Sequence, residues 1–325
     1  MEPLHEAPAT VGGAKHDSDT LKAAEDLILR ADTLREQANY AEAEPHYRRA
    51  VEIQEKMLGA TLNNWALLLK KQGKLDAADT LYVRAIEIGM TTLGPNHPDL
   101  ATRLNNRAVL LEKQGKLDEA WTLCKRSLAI REQELEADHP DVAESLNNMA
   151  GLLGIQGKLL EAEPLYGRAQ KIFEKSLGRD HPNIASVLNN RAAVLAAVGQ
   201  YARAEPLYRR CLAIREKATG REYPAMAEPL NNMAVLLHDQ GKYGEAVTLY
   251  KRSLAIRQLV AGRDHPVVAD SLYNLALSLE AQEKHGDAIP LFKRALSIRR
   301  EKLGASHPCT VATQSELEYA LGKQV

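Results

Sequence analysis

The chain has 325 residues, enough for two ordinary domains. Lys and Arg total 42 against 43 Asp and Glu, which excludes bulk-electrostatic binding of nucleic acid or a membrane surface, since both need a basic excess. With 5% aromatic and 45% hydrophobic residues, the core must be aliphatic and rich in alanine, a composition suited to close helix packing and unsuited to a large β-sandwich.

In chain order, the opening segment 1–19 holds Pro3, Pro8, Gly12, Gly13 and several charges without an apolar signal core, and reads as a disordered tail. An internal clock then begins. His-Pro recurs at His97, His139, His181, His265 and His307, with Tyr223-Pro224 filling the gap, each 42 residues from the last. Asn-Asn keeps the same time from Asn63, Asn105, Asn147, Asn189 and Asn231, with Tyr273-Asn274 as an altered last copy.

Each unit predicts two helices. A leucine (Leu27, Leu62, Leu104, Leu146, Leu188, Leu230, Leu272) is followed four residues on by alanine (Ala31, Ala66, Ala108, Ala150, Ala192, Ala234, Ala276). Twelve further on is a second alanine (Ala43, Ala78, Ala120, Ala162, Ala204, Ala246, Ala288), and four beyond that a ring in every copy except Cys124. These spacings place small and large residues on facing helical stripes. Gly73, Gly115, Gly157, Gly199 and Gly241 end the first helix, and Pro45, Pro164, Pro206 and Pro290 are expected in the first turn of the second. Asn96, Asp138, Asp180 and Asp264 are expected to cap the next first helix ahead of His-Pro.

No single hairpin can bury its apolar stripe, so neighbours must stack over residues 20–310. Units one and two are 35 residues apart, lacking the seven-residue linker, and are expected to stack with shorter spacing. Segment 311–325 has room for one capping helix.

No apolar run approaches the ~20 residues that a membrane span needs. Cys124, Cys211 and Cys309 lie far apart with no ligand-spaced partner and read as reduced thiols in a cytoplasmic setting. Phosphate loops, zinc spacings and nucleophile elbows are absent, so neither catalysis nor a cofactor or metal is expected. Five linker histidines 42 residues apart cannot form one site, and read as helix starts. The repeated Arg84, Arg126, Arg168, Arg210, Arg252 and Arg294 read as a solvated ion-pair face.

Leu104-Asn105-Asn106-Arg107-Ala108 and Lys113-Gln114-Gly115-Lys116-Leu117-Asp118-Glu119-Ala120 resemble the tetratricopeptide consensus. The 42-residue period and the Leu-Ala-Ile-Arg type of second helix (Leu212 to Glu216, Leu254 to Arg257) resemble the kinesin light chain subclass. The resemblance implies an all-α, right-handed superhelical solenoid of about seven tetratricopeptide helix pairs plus a C-terminal capping helix. The long heptad region that pairs such light chains with a motor is not seen before the first repeat, so a motor-binding element is not expected.

In such arrays the first helices line a concave groove. Asn64, Asn106, Asn148, Asn190, Asn232 and Asn274 match positions that hold a ligand's main chain, since a carboxamide both donates and accepts. The other reading is that these amides bond each other and brace the stack. One turn on, Lys70 and Lys71, then Glu112 and Lys113, give way to Gly154, Ile155, Ala196 and Ala197, and then to His238, Asp239 and Glu280. Small residues there leave room for a ligand's bulky anchor near Ile155 and Ala197. Arg107 and Arg191 stand where Met149 and Met233 stand in alternate units, positioned either to pair with ligand carboxylates or to satisfy interhelical acids. Kinesin light chain repeats hold short acidic peptides with an aromatic or leucine anchor, and that ligand class is what the resemblance implies. The expected function is a protein-interaction adaptor binding such a peptide; the alternatives are an architectural subunit of a larger complex and a light-chain-like cargo adaptor.

Overall fold

The computed structural model describes residues 14–219 and 224–323. Fourteen α-helices and one short 3-10 turn make up their regular structure, with no strand among the described residues. The chain divides into two compact units, one ending at Ser176 and the other beginning at Leu177.

The first unit holds α1 (Ala14–Glu36), α2 (Tyr40–Lys71), α3 (Leu75–Thr92), α4 (Pro98–Lys113), α5 (Leu117–Glu134), α6 (Pro140–Ile155) and α7 (Leu159–Leu177). The second holds α8 (Pro182–Ala197), α9 (Tyr201–Thr219), the 3-10 turn Pro224–Met226, α10 (Ala227–Asp239), α11 (Tyr243–Ala261), α12 (Pro266–Glu280), α13 (His285–Leu303) and α14 (Pro308–Lys323). α1 already begins inside the segment expected as a tail; residues 1–13, Tyr223 and residues 324–325 lie outside the described residues.

The small-against-large stripes are the core. Ala66 and Ala78 bury with Tyr82 and Leu110, and Ala108 and Ala120 with Cys124, Met149 and Leu152. In the second unit Ala192, Ala204, Tyr208, Ala234, Ala246, Tyr250, Ala276, Ala288 and Phe292 join one cluster that α14 closes with Leu317 and Ala320. Burial pushes the Cys124 thiol up to about 12, so it remains a protonated apolar filler.

The punctuation works with three amendments. The five glycines between paired helices adopt φ near +76°, a left-handed conformation that ends the first helix. Ala38 and Glu283 take the same conformation in units one and seven, where no glycine is available. The expected Asn and Asp caps are corrected: His97, His139, His181 and His265 are themselves the N-caps, each Nδ1 accepting from the backbone N–H two residues on at 3.1–3.3 Å. His307 Nδ1 accepts likewise from Cys309 N–H at 3.2 Å. The acid ahead of His instead meets a lysine, Asp138 with Lys175 and Asp180 with Lys217. Where Tyr223 replaces His, a 3-10 turn intervenes and α10 starts at Ala227, without a side-chain cap.

The prolines fall at the sixth residue of their helices, not in the first turn. The carbonyl each leaves without an amide belongs to an exposed residue (Ala41, Leu160, Ala202 or Gly286), where water replaces the missing bond.

The third amendment is largest. Units one and two do not stack as separate hairpins: without the linker, α2 runs unbroken for 32 residues and serves both units. Gly59 does not interrupt it, and lies buried under the Arg103 guanidinium, where a Cβ would come 2.5 Å from Nη1. Gly89 flanks the same guanidinium from α3 with a Cβ clearance of 2.7 Å.

Candidate peptide-binding surface

The asparagine positions form ladders between repeats. Asn106 Nδ2 donates to Asn63 Oδ1 at 3.1 Å, and Asn148 Nδ2 to Asn105 Oδ1 at 3.0 Å. Asn105 in turn donates to Glu144 Oε1 at 3.4 Å, and in the second unit Asn232 Nδ2 donates to Asn189 Oδ1 at 3.3 Å. The Asn–Asn partners are 43 residues apart, so each of those three bonds ties a first helix to the first helix of the preceding repeat. Asn106, Asn148 and Asn190 are wholly buried. Burial takes these three amides out of a ligand's reach, against the expectation, and Asn106 and Asn148 instead brace the stack, a buried carboxamide finding its partners inside the protein. Asn64, Asn232 and Asn274 keep partial exposure, with Asn64 Oδ1 accepting from Asn63 at 3.3 Å.

The two arginines also divide. Arg107 makes a forked contact with Asp79 of α3, Nε to Oδ1 at 2.8 Å and Nη2 to Oδ2 at 3.4 Å, so it satisfies an interhelical acid. Its counterparts Met149 and Met233 are buried, and Arg191 is half-buried.

The side chains that do meet solvent lie one turn on. In the first unit Lys71 and Lys113 are exposed at equivalent positions, and Ile155 is 44% exposed at the next. Gly154 beside Ile155 offers no side chain, leaving Ile155 to stand out on α6. Glu112 has its carboxyl held above the usual range by burial, opposed by Lys113 and Lys70. In the second unit Ala197 is exposed at the matching position, with Ala193 and Ala196 packed on the core.

The end of the second unit carries an open cleft of about 550 Å³, lined by His238, Leu277, Glu280, Ala281, Glu283, His285, Tyr319 and Lys323. His238 Nδ1 lies 2.8 Å from Ser278 Oγ, and Lys323 stands 5.5 Å over the Tyr319 ring. Burial, reinforced by Glu316, raises the Glu280 carboxyl.

Sequence reasoning missed a second set of braces. Arg131 is fully buried, donating from Nη1 to Asp141 O at 2.8 Å and Ser145 Oγ at 2.9 Å, and from Nη2 to Thr102 Oγ1 at 3.0 Å. Arg257 and Arg299 repeat this, reaching Ser271 and Thr313 at 2.7 and 2.6 Å. The signal was present as an arginine in three second helices matched by a hydroxyl fourteen residues later.

Among the described residues no group of three His, Cys, Asp or Glu side chains is placed to hold a metal, and no helix is long and apolar enough to cross a membrane. The arrangement is that of a helical-hairpin repeat protein, a class whose stacked helices present surface for protein contact. The tetratricopeptide repeat profile matches residues 57–120, 102–159, 141–217 and 225–301, and a second tetratricopeptide profile matches residues 30–61. The chain belongs to the tetratricopeptide repeat family.

Among solved structures it is similar to a Podosopora anserina protein assigned to the kinesin light chains, with nearly identical TPR-like repeats. Identity is 25% and the TM-score 0.54, over 64% of this chain and 98% of that one. BtubC (BKLC) of P. vanneervenii matches at 24% identity and TM-score 0.60, over 72% of this chain and 94% of that one. The apo quorum sensor NprR of B. thuringiensis shares the fold at 16% identity and TM-score 0.61, over 94% and 80% of the two chains. No curated protein sequence matches the chain. Repeats and neighbours together make this a protein-interaction scaffold of kinesin light chain-like tetratricopeptide architecture.

Proposed function

We propose that the chain is an adaptor that holds a short acidic peptide segment with an apolar anchor on its first-helix surface. The observation carrying this reading is the exposed row Lys71, Lys113 and Ile155 at equivalent positions of α2, α4 and α6. Two solvent-exposed lysines suit carboxylates, and the exposed Ile155, with Gly154 beside it, suits a leucine or aromatic side chain. Affinity comes from these groups and the half-buried Asn64, not from Asn106 or Asn148.

Fluorescence anisotropy with a labelled acidic peptide carrying one central leucine tests this. The expected affinity is about micromolar, near −8 kcal/mol. Lys71→Glu with Lys113→Glu should weaken it at least about tenfold, each exposed ion pair lost being worth up to ~1 kcal/mol. Ile155→Asp should weaken it without changing its salt dependence. Equal affinity for a neutral peptide, or indifference to the double charge reversal, would overturn the reading.

A further inference from the structure

We propose that α2 is a self-association surface, and that two copies of the chain pair their α2 helices antiparallel across a two-fold axis between Gln54 and Glu55. Tyr40, Val51, Leu58 and Trp65 follow one another at 11, 7 and 7 residues, so at 100° per residue they share one strip of the helix. Leu68 lies one turn beyond Trp65. All five are between 43% and 66% exposed. No other segment of the described chain presents such a row. Later repeats bury the matching positions: Met149, Met233 and Leu275 for Trp65, and Leu110, Leu152 and Leu236 for Leu68.

The occupant follows from the register of the repeat itself. Where α3 packs on α4, Asp79 meets Arg107, and Ile86 shares a cluster with Leu100, Ala101 and Leu104. Seven residues up one helix match seven residues down the next. The second-helix half of that contact recurs 35 residues earlier as Glu44 and Val51; the first-helix half recurs 42 residues earlier as Trp65 and Leu58. Both halves therefore lie on one helix of 32 residues, about 48 Å long at 1.5 Å per residue. A straight helix cannot pack on itself, so within one copy these halves never meet.

Two antiparallel copies satisfy the contact twice: Val51 of each against Leu58 of the other, and Glu44 against Trp65, with Tyr40 reaching Leu68. That is an isologous interface, the same patch used by both partners. Folding back within one chain would require α2 to break between Leu58 and Leu62. The one residue there with a glycine's freedom, Gly59, sits inside the unbroken helix, buried beneath Arg103.

Sedimentation of the full chain, of 35.9 kDa, should give twice that mass, falling to the monomer on dilution. Leu58→Glu with Trp65→Glu, both solvent-facing changes, should yield a folded monomer by circular dichroism. In a Cys309→Ser background, Gln54→Cys should form an interchain disulfide under mild oxidation, and Lys71→Cys should not. A chain monomeric at its highest soluble concentration overturns the proposal. So does a dimer indifferent to the two glutamates. If the glutamates act but Gln54→Cys fails to cross-link, the strip is covered in another register or by its own hairpin, and the antiparallel pairing is wrong.

Discussion

A carboxamide at the second Asn position has the chemistry of a peptide clamp and the burial of a structural tie, and burial decides. Asn148 is fully enclosed, and its Nδ2 bond to Asn105 Oδ1 helps hold α6 to α4. Asn148→Ala should therefore destabilise the fold by about 1–3 kcal/mol, the range for leaving a buried polar partner unpaired. Chemical denaturation would read that loss, while peptide affinity measured below the transition stays unchanged. Glu280 makes the opposite case. Its folded carboxyl is raised, so the folded state binds the proton more tightly than the unfolded chain does. The favourable contribution is complete in acid and disappears as pH rises through the folded value. Glu280→Gln should raise the melting temperature at about pH 8 and give no gain near pH 4, where the wild-type carboxyl is itself largely protonated.

At the scale of the element, helix starts are set by one imidazole. His139 Nδ1 accepts from Asp141 N–H at 3.2 Å, and the linker that lacks this group begins its helix three residues late. His139→Ala should cost about 0.5–2 kcal/mol, whereas His139→Asp, which restores an acceptor at the cap, should cost much less; thermal melts of the two variants make the comparison. The expectation had placed the cap one residue earlier, since Asp is the commoner capping residue and nothing in spacing separates neighbours. The boundary at α2 was misjudged for a related reason. A 35-residue interval signals a missing linker but does not say whether the two helices then turn or fuse, and the side chain that covers Gly59 at the junction, Arg103, arrives from 44 residues away.

For the molecule as a whole, the fold was legible because it repeats: alanines, rings and glycines at a constant interval restrict each helix to one face and one end. The exposed row of Lys71, Lys113 and Ile155 was legible too, as the place where the interval's residue types change. The amides were not, because their orientation depends on a neighbour 43 residues distant, and the same asparagine serves either use. Arg107 shows the same ambiguity, settled only by the position of Asp79.

The guanidinium of Arg103 limits how freely such an array can be recombined. In three later junctions the arginine comes from the second helix and the hydroxyl from the next first helix; between α3 and α4 the donor has changed sides, with Gly89 opposite Arg103. A graft that replaced α4 with α6 would set Ser145 against Gly89 and leave the slot hollow. Placing α4 after α5 instead would drive two guanidinium groups into one space. These two repeats are a matched pair that would have to be moved together.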